Sequence, residues 1–196
     1  RKNKTLFLTR VPISTPCANL TASFMKGFFE QAPDVDLIAH RGGNGQWPGE
    51  TVYAFTRALA SGADVIEMDV WGTADDPPVL VLMHSSDISK VTEGSGKVSS
   101  LRLKDLQNLN AAYRWSPDGG RTFPFADTEP VLRVARLEDV LKEFKDQRMN
   151  IEIKWPWRRS VKPLWELIDH YKMHEKVLVA SFSTGALRRF RKLSGG

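Results

Sequence analysis

His40 and Arg41 stand side by side at the end of a short apolar run, Val35 to Ala39, which is too short for a helix and reads as a buried strand. Gly42, Gly43 and Gly45 follow at once, then Pro48 and Thr51 at the start of a helical pattern. An imidazole and a guanidinium facing a loop of bare backbone suit phosphate, because main-chain amides and a planar cation both bind anions. Alone, the pair could equally be a surface His-Arg beside a flexible turn. Glu67 and Asp69 narrow the choice. They lie two apart in the run Val65–Val70, hence on one strand face, with Ile66, Met68 and Val70 on the other. Carboxylates buried together repel, and a divalent cation that prefers hard oxygen ligands relieves this most simply. Glu152, between Ile151 and Ile153, repeats the feature, and Lys154 faces the same way. On one strand, a Glu152–Lys154 salt bridge at an exposed edge would suffice; on two strands the metal is favoured.

His84 closes a further apolar run, Val79–Met83, so two of the four histidines stand at strand ends, where α/β folds bind ligands. His170 and His174 fall on a helical stretch and read as surface residues. The residues therefore offer His40 and His84 as an acid–base pair. Glu67, Asp69 and Glu152 form a cage for Mg²⁺ or Ca²⁺, and Arg41 and Lys154 serve an anion. That is equipment for metal-assisted cleavage of a phosphate ester. No Gly-x-Ser-x-Gly elbow is present, and the glycine loop lacks the Lys-Ser/Thr ending of a nucleotide-binding P-loop.

The elements that must position these groups alternate. Strands are predicted at Asp36–His40, Val65–Val70, Val79–Met83, Asn150–Lys154 and Val177–Ser181. Helices are predicted at Thr51–Ser61 (with Gly62 as its C-cap), Leu137–Phe144, Lys162–Met173 and Thr184–Leu193. Alternation of this kind predicts a parallel sheet, open or closed into a barrel. Residues 85–136 form an irregular insertion after the third strand, with a short helix near Lys104–Leu109; at that length it is expected to carry function. Residues 1–34 read as an arm, with a short amphipathic helix from Thr21 to Gln31, and 35–196 as the domain.

The 196 residues carry a net charge of +5, much of it at the two ends. A basic balance permits phosphorylated substrates or peripheral contact with an anionic membrane surface; no nucleic-acid-binding signature appears. One cysteine, Cys17, excludes an internal disulfide framework. Asn3-Lys-Thr5 and Asn19-Leu-Thr21 fit the glycosylation pattern, which arises often by chance. No apolar run is long enough to span a membrane and no signal-peptide core is evident, so the expectation is a soluble chain, cytoplasmic rather than exported.

His40-Arg-Gly-Gly, Pro48-Gly-Glu-Thr51 with Phe55, Gly62–Val70, Thr73 with Asp75, Val81–His84, Thr92–Gly96, Leu137–Leu141 and Asn150–Lys154 occur in an order and spacing that resemble the glycerophosphodiester phosphodiesterase family. The resemblance implies a (β/α)8 barrel of the TIM type with an insertion after the third strand. It also implies hydrolysis of glycerophosphodiesters to an alcohol and sn-glycerol 3-phosphate, with one Mg²⁺ or Ca²⁺ as cofactor and a small phosphodiester as substrate. By resemblance, His40 and His84 are the acid and base, Glu67, Asp69 and Glu152 hold the cation, and Arg41 and Lys154 steady the phosphate. Alternatives are a lysophospholipase D, with Tyr113, Trp115, Phe123, Phe125 and the arm's phenylalanines along a lipid groove, or a non-catalytic phosphate- or membrane-binding remnant.

Two departures stand out. The family's usual Pro-Glu-Asn-Thr is Pro48-Gly-Glu-Thr51 here, so Gly49 takes the position of the first-strand ligand and Glu50 falls one residue later. A glycine-rich loop has the freedom to bring Glu50 into the vacated coordination position; otherwise Glu50 caps the following helix. Ser85 stands where the family usually has Asp, removing a group that would support the site from behind. Length is a third. Five strand–helix units are expected, against the eight of a barrel of about 250 residues, which reads as a barrel stopping after the fifth unit.

Overall fold

The apolar runs and amphipathic stretches become ten elements in the computed structural model, which describes residues 28–29 and 36–195. In chain order they are β1 (Ile38–Ala39), α1 (Val52–Ala60), β2 (Val65–Gly72), β3 (Leu80–Leu82), α2 (Leu103–Leu106), α3 (Leu137–Glu143), β4 (Arg148–Ile153), α4 (Val161–His170), β5 (Val177–Ala180) and α5 (Thr184–Ser194). Their ends follow local chemistry. Thr51 Oγ1 accepts the Ala54 amide at 3.1 Å and so caps α1. Ser183 does the same for α5. The arm, the helix expected over Thr21–Gln31, Cys17 and both sequons lie outside the described residues, except Phe28 and Phe29, which are helical. Phe28 is buried beneath the Arg148 guanidinium, 5.3 Å from its ring, and Arg148 is ion-paired with Asp36.

β1, β2, β4 and β5 are parallel and lie in that order. β2, buried along its length, is the central strand. Its register sets Glu67 opposite Asn150 and Asp69 opposite Glu152, which brings the carboxylates of two strands to one level on one face. The other face carries Ile66, Met68, Val70, Met149, Ile151 and Ile153 into the main core, where α1, α3, α4 and α5 supply Phe55, Leu137, Leu164 and Ala186. Helices on one face of a parallel sheet and chemistry on the other match the expected fold class, in the manner of part of a barrel.

β3 corrects the unit count. It runs antiparallel to β2, with Val70 opposite Leu82 and Gly72 opposite Leu80. The reason lies in the link before it. A parallel partner needs a crossover of about a dozen residues or more, and residues 73–79 contain no helix and are too few. Among the described residues there are therefore four parallel strands and four βα units, where five were expected. Between β2 and α3 the chain makes an excursion that starts at Thr73 and includes β3. It returns where the Leu82 amide donates to Ala135 O at 2.9 Å, before α3. This excursion has a core of its own. Leu80 and Leu82 of β3 enter the main core, whereas Val81 and Met83 join Trp71, Ile88, Val98, Leu106 and Val134 in the second. No helix among the described residues is long and apolar enough to cross a membrane.

Candidate active site

β1 ends after Ala39 because the chain turns out of the sheet. Arg41, Gly42 and Gly43 all adopt positive φ (54°, 72° and 84°), and His40 O accepts the Gly43 and Asn44 amides at 2.9 and 3.3 Å. A Cβ at Gly42 would lie 2.8 Å from Phe55 Cδ1 and 2.9 Å from Ala54 Cβ, so the turn seats directly on α1. Seated there, Arg41 donates its amide to Glu67 Oε2 at 2.7 Å and places Nε 3.3 Å from Asp69 Oδ2.

The acidic residues converge as expected. Glu67, Asp69 and Glu152 each offer an oxygen, all within 4.8 Å of one another. Lys154 Nζ lies 2.8 Å from Asp69 Oδ1 and 2.7 Å from Glu152 Oε1. The Glu152–Lys154 pair thus exists, inside the cluster rather than at an exposed edge. Burial alone would lower the Lys154 ammonium, but Asp69 and Glu152 outweigh it and raise its pKa. Glu67 is pushed up to about 7 by burial and by Asp69, against the Arg41 amide and charge. Glu50, also buried, is raised well above the carboxylate range by burial, then by Asp69 and Glu67. The Asp69 oxygens, 1% exposed, accept no aligned hydrogen bond among the described residues. Three convergent carboxylates with a fourth, Glu50, beside them, against only two cations, fit a bound divalent cation, for which Glu67, Asp69 and Glu152 would be the hard oxygen ligands.

Glu50 lies beside this cluster. Thr51 caps α1, so Glu50 does not. Nor is Glu50 one of the three residues whose oxygens cluster. Both its oxygens instead lie 3.2 Å from the Asp69 amide nitrogen, which donates to them.

His40 Nε2 is 4.0 Å from Glu67 Oε2, with the side chain 64% exposed. His84 reaches the same region because β3 runs backwards along β2, the Met83 amide donating to Asp69 O at 3.0 Å. Partial desolvation on the cleft side lowers both imidazoles below their ordinary pKa although they are largely exposed; Arg41 lowers them further, and Asp69 opposes it. His84, Glu152, Lys154, Trp155 and Phe182 line an open cleft of about 660 Å³. Trp155 and Phe182 were not singled out from the sequence, although each stands two residues beyond the end of β4 or β5, the edge at which ligands bind. Of the insertion aromatics, Trp115 and Phe125 pack edge to face (5.5 Å), and Phe125 continues onto Tyr53. Trp115 also donates from its indole to Asn44 O at 3.2 Å, tying the excursion to the glycine loop.

A parallel sheet with helices outside, and carboxylates, cations and imidazoles at its C-terminal strand ends, belongs to the (β/α)-barrel class. The chain belongs to the glycerophosphoryl diester phosphodiesterase family, whose sequence model matches residues 40–193. A glycerophosphodiester phosphodiesterase of Bacillus altitudinis is 34% identical over 164 residues, covering 80% of this chain and 62% of the relative. Another, from Caldanaerobacter subterraneus subsp. tengcongensis, is 32% identical over 165 residues, covering 81% and 62%. Among solved structures, the glycerophosphoryl diester phosphodiesterase domain of an uncharacterized Mycobacterium tuberculosis protein superposes with a TM-score of 0.71 at 25% identity, covering 81% of this chain and 56% of that one. The chain thus spans about 62% of the length of these curated relatives.

Proposed function

We propose that the protein carrying this chain is a metal-dependent phosphoric diester hydrolase, cleaving glycerophosphodiesters to an alcohol and sn-glycerol 3-phosphate in phospholipid and glycerol metabolism. The convergence of Glu67, Asp69 and Glu152 within 4.8 Å, ion-paired to Arg41 and Lys154 and flanked by two histidines, carries this reading. Glu67, Asp69 and Glu152 would hold one Mg²⁺ or Ca²⁺, which when bound stabilises phosphoryl charge and makes the attacking hydroxyl more acidic. Arg41 and Lys154 hold the phosphate oxygens, Arg41 with a planar donor fork and Lys154 as a point charge. One imidazole accepts the proton of the attacking hydroxyl, and the other protonates the departing alkoxide. Their lowered pKa values keep the acceptor unprotonated at neutral pH.

One observation favours a second reading, a lysophospholipase D acting on substrates that retain an acyl chain. Trp155 (67% exposed) and Phe182 (96% exposed) present apolar surface in the cleft that also holds His84 and Lys154. Turnover of glycerophosphocholine and lysophosphatidylcholine, compared at equal concentration in the full-length protein, tests both. Preference for the deacylated diester supports the first reading; preference for the lysolipid, lost in Trp155→Ala, supports the second. Turnover of neither would overturn the assignment of a hydrolase.

A further inference from the structure

We propose that Glu50 is a positioning residue: its carboxylate replaces the missing strand partner of the Asp69 amide and so fixes the main chain from which Asp69 reaches the cation site. The proposal deepens the cation reading of Glu67, Asp69 and Glu152 and rests on it for its consequence.

A strand has two edges. β4 occupies one edge of β2 over Val65–Val70. The other edge is shared: β1 pairs with Val65 and Ile66, and β3 pairs only from Val70 onward. Asp69 falls in the gap. Its carbonyl already accepts the Met83 amide, which follows β3, but no strand reaches its N–H. A buried amide needs an acceptor, and both Glu50 oxygens stand 3.2 Å from it. Glu50 is itself buried and arrives from a different segment, nineteen residues away in sequence, so this contact is built by the fold and not by proximity in the chain.

The backbone of the loop is arranged to bring Glu50 there. Its φ is +62°, a left-handed conformation in which Asn is several-fold enriched and Glu is not. Retaining Glu in that conformation points to a use for its longer side chain. The preceding residue explains why the acid does not stand at 49. A Cβ at Gly49 would lie 2.6 Å from Asn44 Cβ and 3.1 Å from Arg41 O, so no side chain fits at 49, and the acid stands at 50. The Glu50 amide then donates to Arg41 O at 3.1 Å, which binds the loop back onto the turn that carries His40 and Arg41.

The test uses the full-length protein with Glu50→Ala, which removes the acceptor, and Glu50→Gln, which keeps a neutral one. Amide hydrogen exchange at Asp69 is followed by NMR in chelator, with the Met149 amide, bonded to Lys176 O, as control. Mg²⁺ and Ca²⁺ are titrated calorimetrically. The expected result for Glu50→Ala is Asp69 exchange faster by tenfold or more and cation binding weaker by about 10–100-fold, with Glu50→Gln within about threefold of wild type on both. Unchanged Asp69 exchange in Glu50→Ala overturns the proposal. So does a Glu50→Gln variant that keeps slow Asp69 exchange yet loses cation affinity tenfold, since Glu50 would then be a direct ligand. If Glu50→Ala does not fold, Glu50→Asp, whose carboxylate is one methylene shorter and so is withdrawn from the Asp69 amide, takes its place under the same criteria. A wild type that titrates neither ion removes the cation reading of the site, and the exchange comparison still judges Glu50.

Discussion

At the site, histidine exposure makes removal of the two imidazoles an informative experiment. His40 and His84 are both exposed, and neither belongs to the two apolar cores, so truncating either leaves the packing intact. His40→Ala or His84→Ala is expected to lower kcat by about 10²–10⁴ with unchanged circular dichroism, because each removes a proton-transfer group. Wild-type turnover in both would remove them from the chemistry. Glu67 gives a second, independent signal. Its folded pKa of about 7 lies above the ordinary glutamate value of 4.5, so the folded state holds that proton more tightly than the unfolded chain. The stabilisation is complete below about pH 4.5 and is lost as pH rises through about 7, an effect of roughly 3 kcal/mol in metal-free protein. Melting temperature in chelator is therefore expected to fall over that range in wild type and to fall less in Glu67→Gln. Equal slopes would show that the Glu67 carboxyl is not crowded by Asp69. Glu67, Asp69, Glu152 and Lys154 were legible in sequence because strand alternation dictates which side chains share a face. Glu50 stood out as a ligand or a cap, but its contact to the Asp69 amide was not legible, since a bond to a backbone amide across nineteen residues leaves no periodic trace.

Among the elements, the turn after β1 and the orientation of β3 control the geometry. Gly42 combines φ +72° with the 2.8 Å approach of Phe55 that any Cβ would meet. Gly42→Ala is expected to destabilise the protein by about 1–3 kcal/mol, and to raise KM as Arg41 is displaced, since strain and a clash with α1 add. Denaturant melts and steady-state kinetics check this; a neutral variant would mean that the turn is not seated on α1 as described. Strand and helix positions were readable to within a few residues from apolar runs, Thr51 and Gly62. β3 was readable as a strand but not as antiparallel. Both its faces are apolar because it serves two cores, Leu80 and Leu82 in one and Val81 and Met83 in the other, so its pattern imitates a buried parallel strand. Only the shortness of the 73–79 link reveals its direction. That reversal is also what carries His84 back to Asp69.

At the scale of the molecule, four parallel strands present one polar face, and among the described residues β1 and β5 are its edges. That face gathers Glu67, Asp69, Glu152 and Lys154 from β2 and from β4 and the residue after it, so that a two-strand register, Asp69 opposite Glu152, holds the site together. The most direct measurement is release of sn-glycerol 3-phosphate from glycerophosphocholine by the full-length protein. It is followed in chelator, after return of Mg²⁺ or Ca²⁺, and in Asp69→Asn at matched cation. The expected result is no release in chelator, recovery with one of the two ions, and a loss of tenfold or more in Asp69→Asn. Release that ignores the chelator, or that survives Asp69→Asn unchanged, would contradict a cation-assisted diesterase at this site.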